Sequence, residues 1–132
     1  MKKKIEKYTT SKWSLKEPLY VEKTDKRYKS HLTDLKKFGF SHSETWSLDS
    51  VVSEFILPRL KCFKQVNNGV PHGFTESQWN EIIDDMIFAF EWNLTCEDDE
   101  NLDLDKKSAK ANWKRYSKGM KLFAKYFRDL WW

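Results

Sequence analysis

The sequence holds only two cysteines, three prolines and four glycines in 132 residues. Cys62 and Cys96 stand far apart, so neither a CxxC redox pair nor a zinc-type spacing exists. Each thiol falls in or beside an apolar helical stretch and reads as a buried or half-buried side chain. The four glycines form neither GxGxxG nor GxxxxGK[ST], which excludes the dinucleotide fingerprint and the phosphate-cradling loop. No GxSxG nucleophile elbow is present. No apolar run approaches the roughly 20 residues that span a bilayer. The basic start, Met1-Lys2-Lys3-Lys4, has no apolar region behind it, so no secretory leader is expected. These absences predict a cytoplasmic protein with no membrane segment and no cofactor.

Charge and aromatic side chains are what the chain has in quantity. Charged residues make up 33% and aromatics 16%, with seven Trp and nine Phe. Disordered chains lack such aromatics, so the composition predicts a folded core of large side chains wrapped in Lys and Glu. The length suits one domain that needs neither disulfides nor metal. The charges are segregated. Residues 1–40 carry twelve Lys/Arg against five Asp/Glu, and residues 106–132 carry nine against one. Residues 91–105 carry seven acids and no base. The basic ends could neutralise the acidic centre or form a face for an anionic partner.

Hydrophobic periodicity predicts a mostly α fold, a small bundle of three main helices, with residues 46–132 as the core domain. Residues 1–45 read as an irregular basic arm containing aromatics, with a short strand possible at Leu19-Tyr20-Val21. A weak helix is expected over Lys26–Phe38, stopped by Gly39. The first strong helix is expected over Ser47–Val66, with Leu48, Val51, Val52, Phe55, Leu60 and Phe63 inward. Pro58 cannot donate to the carbonyl of Glu54, which predicts a kink or break at Leu57-Pro58-Arg59. Thr75-Glu76-Ser77-Gln78 is a capping box and opens a second helix that ends near Thr95. Its broad apolar stripe, Trp79 to Phe90, marks it as central. The third helix is expected over Lys106–Leu130, with Trp113, Tyr116, Met120, Phe123, Phe127 and Leu130 buried.

Catalytic and metal chemistry find little support in the pattern. The acidic stretch 97–105 lacks the Gly and the spacing of a calcium loop. Glu81, Asp84 and Asp85 lack the Glu-x-x-His partners of a di-metal bundle. His31, His42 and His72 fall outside the strong helices and have no evident partner, so no catalytic residue is assigned. The most suggestive set is cationic and aromatic. Arg59, Lys61 and Lys64 follow Pro58, and they are the only cations in residues 41–90. With Arg128 they could hold phosphate, while Trp46 or Trp132 stacks on a base.

Thr45-Trp46-Ser47-Leu48-Asp49, Phe55-Ile56-Leu57-Pro58-Arg59-Leu60-Lys61, Met86-Ile87-Phe88-Ala89-Phe90-Glu91 and the run Leu122–Trp131 resemble a small-protein family of tailed-phage and gut-virome genomes. The resemblance covers about residues 45–131. That family carries no assigned activity, so no catalytic residue transfers. What the resemblance implies is a phage accessory protein acting in the host cytoplasm by binding. The leading expectation is counter-defence by sequestering a small anionic nucleotide, in a homo-oligomer. One alternative is an inhibitor that binds nucleic acid or a host defence protein through the basic helix 106–130. Another is a small nucleotide-processing enzyme using His72 or His42 near Arg59.

Overall fold

The computed structural model describes residues 17–66, 69–99 and 106–131 and, for 96–99, the backbone alone. Among the described residues four α-helices follow one another: α1 (Tyr28–Phe38), α2 (Leu48–Val66), α3 (Glu76–Asp99) and α4 (Lys106–Tyr126). A 3-10 turn, His42–Ser47, joins α1 to α2, and another, Phe127–Asp129, follows α4. No strand occurs among the described residues, and Leu19-Tyr20 lies in a turn. α3 packs on α2 along one side and on α4 along the other, which makes the three-helix bundle. α1 packs on the 3-10 turn.

Local chemistry explains most of the boundaries. At the start of α3, Thr75 N–H donates to Gln78 Oε1 (2.9 Å) and Gln78 N–H donates to Thr75 Oγ1 (3.2 Å). That reciprocal pair is the expected capping box. α1 ends at Gly39, whose φ of 80° is left-handed and whose N–H reaches the Leu35 carbonyl. A side chain there would be strained, so glycine fits the stop. α3 runs past Thr95 to Asp99, because no Gly or Pro intervenes and acidic residues alone do not halt a helix. α4 ends at Tyr126 rather than Leu130, its last turn tightening to 3-10.

Of the kink or break expected at Pro58, the break does not occur, and α2 runs continuously through it. Proline removes one backbone donor and crowds the preceding turn. Arg59 supports that turn: its Nη1 donates to the Phe55 carbonyl (2.8 Å) and its guanidinium lies 3.9 Å from the Phe55 ring centroid.

Leu60, Met86 and Phe90 form the buried centre, with Ile56, Leu57, Ile82, Met120, Phe123 and Tyr126 against them. Trp79, Ile83 and Ala89 complete the buried stripe of α3. Leu48, Val52 and Phe55 are exposed, contrary to the periodic reading. α2 has α3 as its one long neighbour, so only a narrow stripe of it is covered. Trp113 and Phe127 are likewise exposed, while Gly119 is buried.

Gly119 marks a close approach of α3 and α4. A Cβ added there would collide with the Asp85 carbonyl oxygen and would lie 2.7 Å from Ala89 Cβ. Beside this contact, the Asp85 carboxylate pairs with Arg115 Nε (3.2 Å) and Lys118 Nζ (3.3 Å). Aromatic pairs extend the seam both ways: Trp92 meets Trp113 and Tyr116, Phe90 meets Phe123, and Trp79 meets Tyr126. The α2–α3 seam is held by Asn93, whose amide donates to Asp49 Oδ2 and Ser53 Oγ, both at 3.0 Å. The Asn93 hydrogen bond holds the Asp49 carboxyl below the usual carboxylate range.

Two outcomes follow. Gly119→Ala gains about 1 kcal/mol of helix propensity, but it drives a methyl group into backbone. A net stability loss of about 1–3 kcal/mol is expected in urea titration, and a stabilised variant would contradict the close packing. Asp49, lowered in the folded chain, takes up its proton first in the unfolded one. Its contribution is complete above about pH 5 and fades below about pH 4. Asn93→Ala is therefore expected to flatten the acid-side fall in stability, and equal pH slopes in both proteins would refute this.

Candidate functional site

The cations that follow Pro58 are spent on the bundle. Lys61 Nζ pairs with Glu91 and Lys64 Nζ with Asp84, each at 2.6 Å, so both tie α2 to α3. Arg59 folds back on its own helix, roughly 16 Å along the α2 axis from Leu48. Trp46 lies before that helix, in the 3-10 turn, with 85% of its surface exposed. Arg128 is exposed in the turn after α4, and Trp132 lies outside the described residues. The structure therefore does not gather Arg59, Lys61, Lys64 and Trp46 into one site.

Two other surfaces concentrate chemistry. The first is the outer face of α4. This helix carries eight Lys/Arg and no acid. Arg115 and Lys118 reach Asp85, and Arg115 also lies 4.3 Å from the Phe88 ring centroid. Lys110, Lys114, Lys121 and Lys125 recur at helical steps on the face turned away from buried Gly119. Among the described residues no carboxylate pairs with Lys110, Lys114 or Lys121. With Trp113, Ser117 and Leu122 they line a groove of about 580 Å³. Like charges at four-residue spacing destabilise a helix by about 0.2–0.5 kcal/mol per pair. Lys106 and Lys107 also sit at the positive end of the helix dipole. The row works against its own helix.

The second surface is a cleft of about 410 Å³ lined by Tyr20, Arg27, His31, His42, Ser43, Thr45 and Trp46, among others. Capping chemistry builds it. Ser41 starts the 3-10 turn: its Oγ accepts from Ser43 N–H, and its N–H donates to Glu44 Oε2 (2.7 Å). The buried His31 ring from α1 places Nδ1 2.8 Å from Ser41 Oγ, which latches helix to turn. His42 Nδ1 lies 3.2 Å from Asp34 Oδ2, and the His31 and His42 ring centroids are 4.1 Å apart. Tyr20 holds a left-handed φ of 62°, an unusual conformation for a bulky residue. Arg27 donates from Nε and Nη2 to the two carboxylate oxygens of Asp25. The Arg27 guanidinium holds the Asp25 carboxyl below its ordinary range.

Sequence reading missed this cleft because it took the histidines one at a time. The signal was present: His31 and Asp34 are three residues apart on one helix and share a face, and Gly39 turns the chain back to deliver His42. Comparison of the chain with known protein families, curated proteins and solved structures finds no match.

Proposed function

We propose that this chain is a binding protein whose α4 face docks a single strand of nucleic acid. The row of lysines that have no carboxylate partner among the described residues carries the reading. From Lys110 to Lys125 it extends roughly 22 Å, about six nucleotides at 3.4 Å per strand residue. Trp113 at its edge offers a ring for a base to stack on. The resemblance of residues 45–131 to small tailed-phage proteins fits an accessory protein of this kind. No helix of the described residues is long and apolar enough to cross a membrane.

Neutralising four phosphates gives a slope near −3 for log affinity against log salt on single strands. Fluorescence anisotropy with a labelled oligonucleotide is expected to read that slope. Alanine at Lys110, Lys114 and Lys121 together should flatten it by about 2, and Trp113→Ala should cost about 1–3 kcal/mol. Salt-independent affinity, or full affinity in the triple variant, would refute the reading.

The exposed indole of Trp46 favours a second reading, capture of a small nucleotide in the cleft beside it. The cleft volume suits a small ligand, with Arg27 in place of the cations after Pro58. Calorimetry against cyclic and linear nucleotides is expected to show micromolar binding that Trp46→Ala abolishes. Equal affinity in that variant would rule the cleft out.

A further inference from the structure

We propose that His31, Asp34 and His42 form a site for a divalent transition-metal ion. One ligand atom from each lies within 4.8 Å of the other two. Zinc bonds of about 2.0–2.2 Å place tetrahedral donors roughly 3.3–3.5 Å apart. His42 Nδ1 and Asp34 Oδ2 are already at 3.2 Å. The remaining gap, at most about 1.5 Å, falls to rotation of the His42 and Asp34 side chains about the fixed His31 ring.

The surroundings fit an ion rather than a chance meeting of side chains. His31 is 3% exposed, and Ser41 holds its Nδ1, so Nε2 is the nitrogen left for a metal. An outer hydrogen bond of this kind orients metal-ligating histidines generally. The two histidine rings lie side by side, with centroids 4.1 Å apart.

Two imidazoles and one carboxylate suit zinc and its transition-metal neighbours, not calcium or magnesium. Three protein ligands leave a fourth position for water or an anionic ligand. Ser43, Thr45 and Trp46 line the same cleft. The site stands apart from the α4 face, so its test can fail without touching that reading.

The probe is zinc alone, titrated by calorimetry into the tag-free full-length chain, with cobalt(II) as a spectroscopic reporter. One equivalent is expected to bind, with visible d–d bands of a nitrogen–oxygen site. Losing an outer partner typically costs 10–100-fold, so His42→Ala and Asp34→Asn should each weaken binding at least about 10-fold. His42 is exposed and Asp34 half-buried, so the variants should fold even where His31→Ala does not. His72→Ala, in a distant loop, should bind as the wild type does. Absence of zinc binding would overturn the site, as would binding unchanged in His42→Ala or lost in His72→Ala. Running the oligonucleotide titration in a chelator keeps the two proposals separable.

Discussion

The bundle depends on one close approach, the backbone of Asp85 against Gly119. Two helices can come this near only where one of them lacks a side chain. The proximity then fixes much else. It brings the Asp85 carboxylate, only 18% exposed, within reach of Arg115 and Lys118. It also sets the spacing at which Trp92, Phe90 and Trp79 meet aromatic partners on α4. With Gly119 facing inward, helical geometry turns Lys110, Lys114 and Lys121 outward. The placement of the lysine row is thus a consequence of the packing.

The helices were legible because their signals are local. The Thr75–Gln78 box, the Gly39 stop and the stripe of α3 depend on residues a few positions apart. Burial on α2 was legible only in part, at Val51 and Leu60, because periodicity says which residues share a face but not how wide the neighbouring helix is. Leu48, Val52 and Phe55 share a face that α3 does not cover. Gly119 was missed for a related reason. A glycine within a helix pattern reads as a weak position until the facing helix is known.

The same limit explains the cations after Pro58. In the sequence, Arg59, Lys61 and Lys64 stand alone among neutral residues. In the fold, an antiparallel helix brings Glu91 and Asp84 beside the two lysines. Arg59 folds back on its own helix, onto the carbonyl and ring of Phe55. Charges that look unpaired in a helical sequence are therefore weak evidence for a site until the opposite helix has been examined. The α4 lysines pass that examination in the described residues, since α3 pairs with one edge of the helix and leaves the other bare.

The cleft between α1 and the 3-10 turn is held differently from the bundle. Its frame is a chain of polar contacts, His31 to Ser41, Ser41 to Ser43 and Glu44, and Asp34 to His42. A fold seeking stability alone would cover α1 with apolar side chains, since net gains from hydrogen bonds are only about 0.5–1.5 kcal/mol each. This one instead spends its most polar residues on fixing two imidazoles and a carboxylate side by side. It also leaves an indole exposed nearby and a tyrosine in a left-handed conformation. Departures from good packing tend to collect where binding is done. The α4 face offers charge alone, whereas the cleft sets two imidazoles beside a carboxylate, the donor set on which the proposed ion site rests.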